Sequence, residues 1–221
     1  MLSPERMPTE RVMPELDVSF AVPGAAEWLA LSDDLLAGLV HALNNRVTAL
    51  SVCAELAGFG DKQMLTDGVL LSEVTRLQRA SALVGLLPAR GLAEALEIAP
   101  VLDDAITIHS HHPRMRTVVC SADVRGSMEP VRVPRWALLR ALLFVVDAAK
   151  AGAHASAQGT VTVRLHSVDG VVQVRAPARE IEGAYAAEMA SLCGGALARE
   201  GGELVLSLPS LTELRRRERA G

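Results

Sequence analysis

Hydrophobic positions recur along this chain with two different periods, and the change from one to the other falls near residue 91. From Leu35 to Leu56 the period is helical. At about 100° per residue, Leu36, Leu39, Val40, Leu43, Val47, Leu50 and Ala54 fall on one broad stripe. His41 lies nearly opposite the centre of that stripe, with Asn45 and Thr48 one and two turns further along the same polar face. Ser32, followed by Asp33 and Asp34, predicts the helix start, and Gly60-Asp61 its end. A second helix is predicted from about Lys62 to Leu87, with Val69, Leu70, Val74, Leu77, Ala80, Val84 and Leu87 as its stripe. Glu73 falls inside that stripe and Leu71 and Leu86 outside it; Pro88 and Gly91 end it. The pair predicts an antiparallel hairpin whose stripes are too wide for one another. A twofold homodimer closing a four-helix bundle is the simplest way to cover the remainder.

Beyond Leu92 helices and strands mix. Pro100–His111 and Arg135–Ala151 read as helices, the second stopped by Gly152, and Ala184–Cys193 as a third. Thr117–Val124 reads as a strand and Pro130–Val133 as a short extended piece. Gly159–Ser167 and Val171–Ala176 alternate with period two and predict a hairpin over Val168-Asp169-Gly170. Ala196–Arg199 and Glu203–Leu208 complete the strands. The order predicts an α+β sandwich, a mostly antiparallel sheet with helices on one face. Ahead of all this, residues 1–28 carry Pro4, Pro8, Pro14, Pro23 and Gly24. They read as an arm, partly disordered, with a short strand conceivable at Leu16–Val22. The expected division is therefore residues 1–28, 29–90 and 91–221.

Composition narrows the chemistry. Half of the 221 residues are hydrophobic but only 3% aromatic, so the core has to be aliphatic, and Trp28 and Trp136 read as packing or anchor residues. A net charge of −4 gives no footprint for nucleic acid. The one dense basic run, Arg215–Arg217 with Arg219, reads as a solvated tail. Three cysteines, Cys53, Cys120 and Cys193, have no metal spacing and suit reduced core positions. No stretch approaches a membrane span, and the charged, proline-broken start lacks the apolar core of a secretory signal. The chain is read as cytoplasmic. His109, His111 and His112 cluster in sequence without neighbouring carboxylates or thiols. They read as solvated histidines at a helix end, and no metal site is assigned. Asp103 and Asp104 read as first-turn helix charges. His41 stands apart, because an imidazole held exposed on a rigid helix suits a phosphoryl-accepting nucleophile, although an ordinary solvated histidine has the same pattern.

Three segments in order resemble the core of bacterial two-component histidine kinases. HALNNRVTAL, from His41 to Leu50, resembles the family's H-box. RALLFVVDAAKAG, from Arg140 to Gly152, resembles its N-box. EMASLCGGALAREGGELVLSLP, from Glu188 to Pro209, is similar to its last helix, Gly-Gly turn and final strand. The resemblance spans about residues 32 to 209. It implies a helical-hairpin dimerisation and histidine phosphotransfer domain over 29–90 and an ATPase-like α/β sandwich over 91–221.

The departures from that family are specific. The acid that usually follows the histidine and takes its proton is replaced by Ala42. Leu143 stands at the first N-box asparagine, and Asp147 at the magnesium-binding asparagine. Ala176-Pro177-Ala178-Arg179-Glu180 stands where an adenine-reading aspartate and glycines belong. Only Ile181–Gly183 remains for a nucleotide lid and a second glycine box. The ATPase-like domain is thus degenerate, and no cofactor is expected on this chain.

What the resemblance then implies is a histidine phosphotransferase of the ChpT type. It would pass a phosphoryl group between response-regulator receiver domains, with Mg²⁺ held by the receiver and possible contact with a hybrid histidine kinase. His41 Nε2 is the expected acceptor and Asn45 an orienting group; Arg46 and Thr48 are expected partner contacts. The competing readings are a non-catalytic pseudokinase adaptor for a kinase or regulator, and a receiver phosphatase in which Asn45 orients water.

Overall fold

A computed structural model of the chain describes residues 24–58, 68–89, 91–178 and 184–220. The strand expected at Leu16–Val22, the stop at Gly60-Asp61, the helix opening at Lys62 and the segment from Arg179 to Gly183 lie outside the described residues. Among those described, the architecture is the expected α+β: a helical hairpin followed by a sheet layered with helices. No described helix is long and apolar enough to cross a membrane.

The hairpin consists of α1 (Ala25–Gly58) and α2 (Val69–Leu86). Gly68, with φ of 70°, precedes Val69, where the described part of α2 opens. The start of α1 also differs from expectation. The helix begins at Ala25, after Gly24, and Ser32 is a buried interior residue whose hydroxyl donates back to the Leu29 carbonyl at 3.0 Å. Packing explains the extension, because the first turns bury Trp28, Leu31 and Leu35 against the α/β layer. Trp28 stacks on Tyr185 with ring centroids 5.8 Å apart and sits 6.3 Å from Phe144. The Arg140 guanidinium lies 4.3 Å from the centre of the Trp28 ring, donates to the Tyr185 hydroxyl at 2.6 Å and reaches the Leu87 carbonyl at 3.2 Å. The scarce aromatics are thus concentrated where α1 meets the second half of the chain.

That second half opens with β1 (Ala93–Leu96), a strand the sequence pattern did not reveal, followed by α3 (Ile98–Ser110). Next come β2 (Val119–Arg125), β3 (Val131–Pro134) and α4 (Arg135–Ala155). α4 runs through Gly152 to Ala155, since Ala153 is buried and the Ser156 hydroxyl closes on the Gly152 carbonyl at 2.8 Å. Then follow β4 (Thr160–Val168), β5 (Val171–Pro177), α5 (Ala184–Leu192), β6 (Ala196–Glu200), β7 (Glu203–Pro209) and α6 (Leu211–Ala220). The basic C-terminal run is therefore helical, not a loose tail. Glu213 is buried and ion-paired to Arg216 and Arg217 at 2.7 and 2.8 Å.

Five strands form one sheet in the order β2-β4-β5-β7-β6, and β1 pairs with β3 separately. β2 and β4 are parallel; the remaining pairs are antiparallel. The expected β4–β5 hairpin turns at Asp169 and Gly170, both with positive φ, the geometry that matches strand twist. Val163, Leu165, Val172, Val174, Leu206 and Leu208 alternate inward and are fully buried beneath the helices. Arg164, Gln173 and Arg175 occupy the alternate positions on the other face.

α1 crosses this layer at a point that only glycine permits. A β-carbon on Gly38 would lie 1.8 Å from the His111 carbonyl oxygen, so helix and turn touch backbone to backbone. Gly38→Ala is expected to lower stability by about 1–3 kcal/mol through overpacking, although alanine favours a helix by about 1 kcal/mol. Urea unfolding of wild type and variant measures it; equal or greater stability in the variant contradicts the close approach.

Candidate functional site

α1 is embedded over its first half and bare over much of its second. Leu35 and Leu39 are fully buried, Leu36, Leu43 and Leu50 half-buried, and Val40 and Val47 exposed at 48% and 51%. The predicted stripe is therefore only partly covered within one chain. His41, immediately beyond the embedded half, is exposed. Asn45 Nδ2 donates to His41 Nε2 at 3.1 Å. An amide N–H donated to Nε2 pairs with the tautomer that carries its ring proton on Nδ1. The structure joins His41 and Asn45 as an exposed pair.

The other expected contacts on α1 are arranged differently. The Thr48 hydroxyl donates to the Asn44 carbonyl at 3.0 Å, within its own helix. Arg46 turns to α2 and pairs with Glu73 at 3.0 Å, while Arg76 pairs with the second oxygen of Glu73 at 2.8 Å. This accounts for the acidic residue inside the α2 stripe, which is buried because two guanidiniums meet it. The Arg46 hydrogen bond, reinforced by both positive charges against the opposing effect of burial, holds the Glu73 carboxyl below its usual range. Beside His41, a cleft of about 210 Å³ is lined by Ala42, Arg46, Arg76, Arg79 and His111. Burial, then the Arg116 and Arg46 charges, hold His111 below the usual histidine value, leaving it neutral at pH 7.

Asp147 belongs to a second cluster, inside the α/β layer. Its carboxylate meets His109 Nε2 at 2.8 Å. His109 is fully buried and His112 nearly so, their rings stacked 5.0 Å apart. His112 Nε2 is 3.5 Å from an Asp34 oxygen, which also pairs with Arg114. The expectation of solvated histidines without nearby carboxylates is therefore corrected. The carboxylates arrive from α1 and α4, elements distant in sequence. The available signal was the spacing of three between His109 and His112, which returns both to one side of a helix end. Next to them Lys150, also buried, donates to the His109 carbonyl at 3.4 Å, and burial lowers its pKa. Asp103 and Asp104, in the second turn of α3 rather than its first, pair with Arg79 at 3.5 Å and Arg135 at 2.9 Å. Burial pushes Cys120 to about 11 and Cys193 to about 12, so neither thiol is a nucleophile near neutral pH.

Around the positions where the sequence resembles a nucleotide site, the described side chains are engaged with one another or apolar. Asp147 is engaged by His109. At the end of β5, Ala176 and Ala178 are buried apolar side chains where an adenine-reading carboxylate would stand. The cavity of about 210 Å³ beside them, lined by Ala149, Gly152, Ser156, Gln158 and Pro177, has no charged side chain among the described residues.

No family model matches the chain, and no curated protein matches it. Its structure neighbours are bacterial histidine kinase cores. The Acinetobacter baumannii histidine kinase AdeS is similar at 14% identity and a TM-score of 0.42, over 77% of this chain and 98% of that one. A histidine kinase from Burkholderia phymatum STM815 is similar at 16% identity and a TM-score of 0.42, over 82% and 98%. A structure described as a bacterial phosphotransferase is similar at 15% identity and a TM-score of 0.40, over 81% and 95%. Likeness at this level says nothing of this chain's activity.

The Arg46–Glu73–Arg76 group makes the hairpin acid-sensitive. A carboxyl with a lowered folded pKa contributes its full stability above the ordinary carboxylate value and loses it as pH falls through the lower one. Glu73→Gln is expected to destabilise the protein at pH 7, and its deficit to shrink as pH drops below about 4.5. Urea unfolding between pH 7 and pH 3 measures both; a deficit that does not change with pH counts against the ion pair.

Proposed function

We infer that this protein is a histidine phosphotransferase of a two-component phosphorelay, working between receiver domains and without a nucleotide of its own. The observation that carries the reading is the His41–Asn45 pair: an exposed imidazole on a rigid helix with the Asn45 amide 3.1 Å from its Nε2. In the proposed reaction the Nε2 lone pair attacks the phosphorus of a receiver's aspartyl phosphate. The N–P bond forms as the P–O bond to the aspartyl carboxyl breaks, and the carboxylate leaves with the electron pair. A carboxylate is a good leaving group and Nε2 attacks through its own lone pair, so Ala42 in place of a general base is no obstacle. Transfer to a second receiver runs the same step in reverse. Asn45 Nδ2 gives up Nε2 on attack and turns to a phosphoryl oxygen, and the receiver supplies Mg²⁺ and most of the charge stabilisation. The basic cleft beside Ala42 supports an acidic docking partner.

The same reading has the chain act as a homodimer in the cytoplasm. Exposed Val40 and Val47 on α1, with Val69 and Leu71 on α2, support a second hairpin closing the bundle.

Phosphoryl transfer from phosphorylated receivers, followed by radiolabel, tests the function. Wild type is expected to be labelled, His41→Ala not at all, and Asn45→Ala roughly tenfold more slowly, the worth of about one hydrogen bond. Label retained in His41→Ala overturns the assignment; receiver binding without any transfer identifies an adaptor instead. Val47→Glu is expected to convert the dimer to monomer in light scattering, and a wild type already monomeric at about 100 μM contradicts the closed bundle.

A further inference from the structure

We propose that His109, His112, Asp147 and Asp34 form a binding site for one divalent transition-metal ion of the zinc class, clamping α1 and α4 to the turn after α3. The nearest ligand atoms of His109, His112 and Asp147 all lie within 4.8 Å of one another. Four donors at about 2.1 Å around a tetrahedral ion lie about 3.4 Å apart. The His109–Asp147 separation of 2.8 Å is already inside that distance, and the His112–Asp34 separation of 3.5 Å is close to it. The His109–Asp147 hydrogen bond has to open by about 0.6 Å, and the gap between the two pairs has to close. His112 sits in the turn beyond the last residue of α3, its N–H donating to the His109 carbonyl at 3.0 Å.

The donor set selects the metal. Two imidazoles with carboxylates suit zinc and its neighbours, whereas magnesium prefers oxygen and keeps its waters. Asp34 and Asp147, set against Arg114 and the buried Lys150, leave the site near neutral around the two imidazoles before an ion enters. Burial agrees with the choice, with His109 at 0% and His112 at 3% exposure. His109 Nε2–H donates to Asp147 and Nδ1 has no partner among the described residues, so an ion taken at Nε2 displaces that proton, which Nδ1 is free to carry. His112 gives up a weak contact, the Arg114 backbone N–H donating to Nδ1 at 3.3 Å. An entry route exists: a cavity of about 380 Å³ is lined by Asp34, His112, Arg114 and Asp147. The ligands come from three separated stretches, so the ion would fix α1 in place about 10 Å, two helical turns, before His41.

Titration calorimetry of the full chain, stripped with a chelator and titrated with Zn²⁺ or Mg²⁺, tests this directly. One Zn²⁺ per chain is expected at a Kd of about 1 μM or tighter. At a hundredfold excess over Kd, melting should rise by roughly 5–10 °C. His112→Asn and Asp147→Asn should each weaken Zn²⁺ at least about tenfold, as loss of a ligand requires, and His41→Ala should leave it unchanged. Co²⁺ in place of Zn²⁺ should give the intense visible bands of a tetrahedral site, lost in His112→Asn, a spectroscopic check that stands even if Asp147→Asn folds poorly. No Zn²⁺ binding tighter than about 1 mM, binding unaffected in His112→Asn, or Mg²⁺ bound as tightly as Zn²⁺ would each overturn the proposal.

Discussion

Everything in this molecule depends on how one helix divides its surface. The first half of α1 is driven into the α/β layer by Trp28, Leu31, Leu35 and Leu39, and Gly38 lets its backbone meet the turn at His111. Among the described residues, the second half packs mainly on α2, with the turn at His111 beside Ala42 and Arg46. The transition occurs at Val40, exposed, directly after Leu39, fully buried. His41 therefore stands at the last point where the layer holds the helix rigid and the first where a partner can reach it. A nucleophile needs both properties, since position lowers its barrier and exposure admits its substrate.

The polar groups buried along this joint follow one rule. Each is matched by a partner from a different element: Glu73 by Arg46 across the hairpin, His109 by Asp147 between α3 and α4, and Tyr185 by Arg140 between α5 and α4. Such pairs add little net stability over a well-packed apolar core, but removing one partner strands the other. They act as registration marks, holding α1, α3 and α4 in a single arrangement. His112 with Asp34 and Arg114 extends the same logic to the start of α1, and there the donors also suit an ion.

The α/β layer is the scaffold that buries the first half of α1. Near the end of β5 its side chains are small and apolar, and the Asp147 carboxylate bonds to His109. Under the proposed function a phosphoryl carrier asks no more of it, because donor and acceptor proteins bring the charge-neutralising machinery with them.

Much of this was legible in the amino-acid sequence. Period and punctuation alone located the hairpin, the β4–β5 turn, the strands and the exposed face bearing His41 and Asn45, because those features depend on residues within a few positions of one another. Boundaries failed where tertiary contact overrode local signals. Ser32 looks like a cap but lies inside a helix prolonged by Trp28 packing, and Gly152 looks like a stop but is bridged by the burial of Ala153. The pairing of Arg46 with Glu73 was not legible, because the two lie 27 positions apart. The histidines at 109 and 112 looked like helix-end solvation for the same reason, their carboxylates arriving from α1 and α4. The chain by itself determined which residues could do chemistry on a helix face. Only the folded structure decided which charged groups meet in its interior, because that depends on where distant segments cross.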